Sequence, residues 1–415
     1  MKKLEGYRNI LKEKEFCKLM AANAVNRFGD SIDAIALSWL IYQVSQEPSL
    51  SALNFGINFL PTIFLQPIAG AFVQRHNKQH IMILSDLGRG LVISLMGILF
   101  LTKNLSAWTI LISTILLSIL EAFRLPCGNA LVPQLIHDEH IEYGLSLSAS
   151  LNSIMEIIGT ACASIIISIG GVSFALFSDA ITFYISAFLI GRIYLPKQFN
   201  QTTSQQTTLK LLKEGFCYLL KSKTILIIIL IATCLNALLV PYNALQSVLC
   251  IEIYQMGAEV LSIQGLSITF GLLIGSFITP FISKKLKGNQ LFLIAFFCFS
   301  GFYIFLILIA LFKHQPFFFY LAMILTCCSF GIFVAFCSTT VNVLVIKKIE
   351  PAYLSRITAV NSALSVTAIP IVSFIISGCT KLFSIDVIFI SFGILTLILG
   401  FIFGLSPIFK QFNQD

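Results

Sequence analysis

Again and again along this 415-residue chain, apolar residues run on for the length of a bilayer before a short polar break. A helix rises about 1.5 Å per residue and the hydrocarbon core of a membrane is roughly 30 Å thick, so about 20 such residues suffice to cross it. Twelve runs qualify, near 18–42, 51–73, 81–101, 108–132, 145–168, 174–195, 224–248, 260–282, 290–311, 316–340, 356–378 and 384–405. Lipid offers no partner to backbone N–H and C=O groups, so each run must close its own hydrogen bonds as a helix. The expected fold class is an all-α polytopic membrane protein with twelve transmembrane helices. Only 11% of the residues are charged and 57% are apolar, against about a quarter charged in soluble domains. That balance excludes a soluble enzyme, a disordered chain and a nucleic-acid binder, in spite of a net charge of +8.

The eleven cysteines lie almost entirely within apolar runs, without the close spacing on a polar scaffold that a disulfide framework or zinc site needs. They read as small polarizable filler, and no metal or cofactor is expected. The first apolar run is long and lacks a small-residue cleavage motif, so it is expected to stay in the protein rather than act as a removable signal.

Charge sets the expected orientation. An even number of spans puts both termini on one side, and that side gathers Lys2, Lys3, Arg8, Lys12, Lys14, Arg75, Lys78, Lys284, Lys285, Lys287, Lys347 and Lys348. The opposite loops hold Lys103, Lys313 and Lys381. By the positive-inside rule both termini are cytoplasmic.

The domain expectation is an N-terminal six-helix bundle over 1–195, a cytoplasmic linker over 196–223, and a C-terminal bundle over 224–415. The linker opens as the flexible sequence QFNQTTSQQTT and then places Leu209, Leu212, Phe216 and Leu219 on one face, as a helix lying on the membrane surface does. Residues 1–15 carry a similar pattern in Leu4, Tyr7 and Leu11.

The two bundles repeat each other. LSLSASLNSIMEIIGTACASIIIS (145–168) aligns without a gap on LSRITAVNSALSVTAIPIVSFIIS (354–377), with eight identities in 24 at an offset of 209 residues. The same offset lays Arg75 on Lys284 and Lys78 on Lys287. A duplicated six-helix unit is the signature of carriers whose site lies at midplane between the halves.

Ionisable residues within a span cost at least about 2.5–3.5 kcal/mol each, so each needs a reason. Asp30, Asp33, Asp86, Glu121, Glu156 and Asp179 are the acids at membrane depth, and Arg27, Arg89 and Arg124 the bases; all are in the N-terminal half. Asp30 and Glu156 fall near mid-depth of their spans. A desolvated carboxylate can take up and release a proton near neutral pH, which is the physics of antiport. Asp30, Asp33, Glu121, Arg124 and Glu156 are therefore the proton-coupling candidates. The plainer reading is that Arg27 with Asp30, Asp86 with Arg89, and Glu121 with Arg124 neutralise one another at i,i+3 on single helices. Arg27, Arg75, Asp86 and Arg89 are accordingly assigned to gate or structural charge pairs, and Asp179 to an interhelical hydrogen bond. Glu156 has no basic residue at i±3 or i±4. Asn152, Asn236, Asn243 and Asn361, with Asn23 and Asn26, mark a candidate substrate pathway, although such residues also serve as hydrogen-bonding glue between helices.

Several segments together resemble the major facilitator superfamily, in its branch of macrolide-efflux and siderophore-export pumps. They are RFGDSIDAIALSWLIYQV in the first span, LPTIFLQPIAG in the second, Arg124-x-x-x-Gly128 followed by NALVPQLI in the fourth, DAITFYISA in the sixth, KEGFCYL after the linker and GLLIGS in the eighth. The loop after the second span departs from the family pattern, with Gln74 where an acidic residue is usual, and Gly159-Thr160 stands for the usual Gly-Pro. The resemblance implies a monomeric carrier of the bacterial cytoplasmic membrane, with a small-molecule substrate, protons as the coupling ion, lipid around it and no enzymatic activity. Export of an amphipathic drug, macrolide-like molecule or siderophore is the expected function. Siderophore uptake and lysophospholipid translocation are alternatives on the same fold, and a membrane enzyme or sensor is a third.

Overall fold

The computed structural model describes residues 10, 12–137, 140–194, 223–282, 288–348 and 354–405. The expected linker helix and the helix over 1–15 lie almost wholly outside them. The described residues form twelve helices in order: α1 Lys14–Ser45, α2 Pro48–Arg75, α3 Lys78–Leu101, α4 Ala107–Leu131, a run Ile141–Gly191 holding α5 and α6, α7 Lys223–Val248, α8 Glu259–Ile282, α9 Gly288–Ile309, α10 Pro316–Lys348, α11 Leu354–Cys379 and α12 Ile385–Leu405. The long run breaks at Gly171, whose φ of 73° is open to glycine but strained for other residues, and this divides α5 (141–170) from α6 (172–191). Nine described helices are long and apolar enough to cross a membrane, by length and composition. The first helix, which carries Arg27, Asp30 and Asp33 along its middle, is not among them.

Sequence pattern explains which faces turn inward. Along α3 the exposed residues Leu84, Leu87, Leu91, Leu95 and Ile98 recur every three or four positions, a stripe suited to lipid. The opposite face buries Ser85, Asp86, Arg89, Gly90, Ile93 and Gly97. Polar groups point in and large apolar ones out, which is the pattern that a hydrocarbon solvent selects.

The chain divides into two compact units, Met1–Gln46 with Ile57–Leu211, and Glu47–Gly56 with Leu212–Asp415. In the first unit α1 packs on the α5–α6 run, and α3 packs on both that run and α4. Glycines allow the closest approaches: a Cβ on Gly159 would meet the Phe28 carbonyl, and one on Gly97 would meet the Phe177 ring. At one end Lys18 Nζ donates to the Arg192 carbonyl at 2.8 Å, and the Tyr194 N–H donates to Glu15 at 2.7 Å. Gln79 Nε2 donates to the carbonyls of Ile190 and Ile193, both at 2.8 Å. These bonds tie α1, α3 and the chain just past α6 around an apolar plug that includes Phe16, Leu19, Met82, Leu131 and Ile190.

The second unit is held differently. Here α8 packs on α10, α9 on α12 and α7 on α11. A Cβ on Gly271 would strike the Cys328 carbonyl, and one on Gly331 would strike the Ile268 carbonyl, so α8 and α10 meet backbone to backbone. The first turns of α2 belong to this unit, because Ser373 Oγ donates to the Ala52 carbonyl and Ser377 Oγ to the Ser49 carbonyl.

The glycine contacts carry a test. Gly331→Ala should cost about 1–3 kcal/mol, the usual range for overpacking, and lower the melting temperature of the purified protein in detergent. Gly378→Ala, where a Cβ meets nothing within 4 Å, should leave it unchanged. Equal melting temperatures for the two variants would contradict the α8–α10 contact.

Candidate functional site

Within the first unit, α1, α3, α4 and α5 surround a cavity of about 470 Å³. The first helix contributes Asn23, Asn26, Arg27 and Asp30; α3 contributes Arg89; α4 contributes Glu121, Arg124, Gly128 and Asn129; α5 contributes Ser148, Asn152, Ser153 and Glu156. Three arginines and three carboxylates on one wall make a polar chamber inside an apolar bundle. Such a concentration is costly to bury in lipid and makes this chamber the candidate site.

Every arginine of this group is matched to an acid, and always across helices. Arg27 Nη2 of α1 meets Glu156 Oε2 of α5 at 2.7 Å. Arg89 Nη2 of α3 meets Asp30 Oδ1 of α1 at 2.7 Å. Arg124 Nε of α4 meets Asp86 Oδ1 of α3 at 2.5 Å. The i,i+3 pairs expected on single helices therefore do not form. Residues three apart on these helices both face the bundle interior, where a neighbouring helix brings a better-aimed partner than the residue one turn away. Glu156, without a local base, takes its partner from α1. Arg27 and Arg89 line the cavity.

The pairs differ in depth, and depth sets what breaking them costs. Arg27 and Glu156 have side chains 42% and 45% exposed, so their attraction is screened and the pair is open to exchange. Asp86 is fully enclosed and both its oxygens are bonded, Oδ1 by Arg124 and Oδ2 by Ser186 Oγ at 2.7 Å. Arg124 also reaches Asn23 at 3.4 Å and Ser186 at 3.3 Å. That cluster pins α1, α3, α4 and α6 together, a structural role for Asp86 and for most of the arginine's donors.

Of the six acids at membrane depth, three have no arginine or lysine at ion-pair distance among the described residues: Glu121 on the cavity wall, and Asp33 and Asp179 outside its lining. Asp179 does not make the interhelical hydrogen bond expected of it; its one bonded oxygen accepts from Thr182 of its own helix.

Other expected residues fall elsewhere. Asn152 lines the cavity. Asn236 spends its amide on the Ala232 carbonyl of its own helix at 3.0 Å, and it and Asn243 belong to the second unit. The side chains of Arg75, Gln74 and Asn361 lie outside the described set. The residue that sequence reading missed is Ser186, although Asp179, Thr182 and Ser186 recur at helical spacing as a polar stripe on α6.

Comparison with known proteins agrees with this architecture. The family model described as Major Facilitator Superfamily matches residues 19–373. Macrolide efflux protein A of Streptococcus pyogenes is 25% identical over 369 residues, 89% of each chain. The staphyloferrin A transporter of Staphylococcus aureus is 22% identical over 387 residues, 90% of this chain and 92% of its own. The crystal structure of the nucleoside transporter NupG matches with a TM-score of 0.72 at 15% identity, covering 94% of this chain and 98% of that one. The chain belongs to the major facilitator superfamily, and is a multi-pass membrane transporter of a small-molecule substrate.

Burial predicts how the pairs respond to mutation. Asp86→Asn leaves Arg124 without its counter-charge and should cost about 3–5 kcal/mol, seen as a large fall in melting temperature in detergent. Glu156→Gln should cost well under about 1 kcal/mol, since its pair is half exposed. Similar losses from both would refute the assignment of one pair to structure and the other to the cavity.

Proposed function

We propose that this transporter exports a small amphipathic organic compound of the drug, macrolide-like or siderophore class in exchange for protons, by alternating access. It works as a monomer in the bacterial cytoplasmic membrane with both termini cytoplasmic, and the bundles over 1–195 and 224–415 are its two moving halves. The observation that carries the reading is the exchangeable Arg27–Glu156 pair on a wall that also holds Glu121, an acid without an arginine or lysine at ion-pair distance among the described residues.

The chemistry follows from charge balance. A substrate ammonium entering the cavity competes with Arg27 for the Glu156 carboxylate. The released guanidinium has two other acids near, Asp30 one turn along its own helix and Glu121 on the same wall. A proton held on Glu121 is then expelled, because the chamber tolerates one added positive charge poorly in a low dielectric. Substrate and proton thus exclude each other from one chamber, the minimum condition for antiport. No nucleotide-binding loop of the Walker type occurs in the sequence, so an ion gradient rather than ATP is the natural energy source. The names of the macrolide efflux and staphyloferrin relatives support the substrate class.

Everted membrane vesicles carrying a pH-sensitive dye test this directly. Macrolides, cationic dyes and siderophores added in turn should collapse the respiration-driven gradient for at least one class, only when the protein is present. Glu156→Gln should abolish that response while leaving the amount of folded protein unchanged. An undiminished proton flux in Glu156→Gln, or net uptake of every responding compound by intact energised cells, would overturn the proposal.

A further inference from the structure

Behind the cavity wall lie two acids that the cavity does not reach, Asp33 and Asp179, next to Arg89 of the wall itself. Asp179 of α6 is fully buried, and its Oδ2 has no hydrogen-bond partner. Asp33 of α1 likewise has an enclosed, unpartnered Oδ1. Arg89, with only 4% of its side chain exposed, spends Nη2 on Asp30, while its Nε and Nη1 are buried without partners. A guanidinium with two unused buried donors beside carboxyls with unused buried oxygens is an arrangement with more than one low-energy pairing.

The backbone puts these groups within reach of one another. A Cβ on Gly29 would stand 2.5 Å from Asp179 Oδ1, so α6 presses its acid against α1 immediately beside Asp30. Asp33 lies four residues beyond Gly29, one turn along the same face of α1. The Arg89 guanidinium sits over the Phe183 ring at 4.2 Å, and Phe183 is one turn past Asp179 on α6. From α6, Thr182 Oγ1 faces Asp179 at 3.4 Å. The charged groups of the surrounding helices are Arg27, Asp30 and Asp33 on α1, Asp86 and Arg89 on α3, Glu121 and Arg124 on α4, and Glu156 on α5. Arg124 is committed to Asp86 and Arg27 to Glu156, which leaves Arg89 as the guanidinium with unused buried donors among them.

We propose that Asp179 stores a proton behind the cavity wall and exchanges it with Asp30 through Asp33, while Arg89 moves the opposite way. In one state Asp30 is a carboxylate paired with Arg89, and Asp179 is a carboxylic acid. In the other, Asp33, a neutral carboxylic acid in both states, has given its own proton to Asp30 and taken up the one that left Asp179 Oδ2, and Arg89 has turned its free donors to the Asp179 carboxylate. One proton and one guanidinium trade places, so neither state buries an uncompensated charge. Asp30, which faces the cavity, hands the proton to or takes it from the chamber. The inference rests on the proton-coupled reading of that chamber and adds to it a store that substrate never touches.

Infrared spectroscopy of the purified protein in lipid, with no substrate added, tests the store apart from transport. At neutral pH the wild type should show a carbonyl band of a buried carboxylic acid that Asp179→Asn removes and Asp179→Glu moves. Because an amide copies the shape of a neutral acid, Asp179→Asn should fold and melt like the wild type. In Asp33→Asn the band should remain, but its shift on transfer to D2O should slow by roughly a hundredfold, the scale of one lost proton-transfer group. An unchanged carboxylic acid region in Asp179→Asn, or unaltered exchange in Asp33→Asn, would overturn the proposal. A band that behaves as expected in a protein that moves no protons would leave the store standing and remove the export reading. Proton-coupled transport without the band would do the reverse.

Discussion

Charge in hydrocarbon has to be cancelled where it stands, and the first six helices are organised by that requirement. Each of Arg27, Arg89 and Arg124 is answered by an acid from another helix, so the three ion pairs double as helix-to-helix ties. Their graded depth divides the work. Asp86 and Arg124, saturated by Ser186 and Asn23, form a fixed joint. Arg27 and Glu156 form a loose one that opens onto the cavity. Arg89 and Asp30 lie between, with one face on the chamber and spare donors behind it. In the proposed mechanism a graded series of this kind would convert a substrate charge at the wall into a rearrangement deeper in the bundle, each step exchanging one partner for another instead of exposing a bare ion.

The second unit carries no such series among its described residues. It is built on surface contact: Gly271 and Gly331 bring α8 and α10 backbone to backbone, and Phe302 stacks on Phe330 at 3.7 Å between ring centroids. Its buried polar groups are neutral, such as Tyr242, whose hydroxyl donates to Gln264 at 3.3 Å. The duplicated sequence thus supports two kinds of bundle on one plan of helix neighbours, α3 with α6 and α9 with α12 in matching places. Among the described residues, the membrane-depth ion pairs belong to the first and the backbone-to-backbone contact of α8 with α10 to the second.

Much of this was legible beforehand. Run length against bilayer thickness gives twelve helices, and the residues that cost most to bury identify the charged half of the protein. The choice of partner was not legible. Spacing along one helix proposes Asp86 with Arg89, but which neighbour a side chain meets depends on helix rotation, which hydropathy does not encode. Ser186 was overlooked because a lone serine in an apolar run is cheap to bury and carries no signal until Asp86 is seen beside it. Gln74, which stands where the family pattern has an acidic residue, and Asn361 have side chains outside the described set, so their expectations stand as sequence readings.

The claim on which the rest turns is that substrate and protons compete for the same cavity carboxylates. Equilibrium binding of a cationic macrolide to the purified protein, measured as a function of pH, addresses it most directly. Competition predicts that affinity weakens as pH falls, with a slope approaching about tenfold per pH unit if one proton leaves per substrate bound. The Glu156→Gln variant should bind weakly at every pH. An affinity that stays flat across the same range, in a protein that binds the macrolide well, would contradict shared occupancy of the cavity.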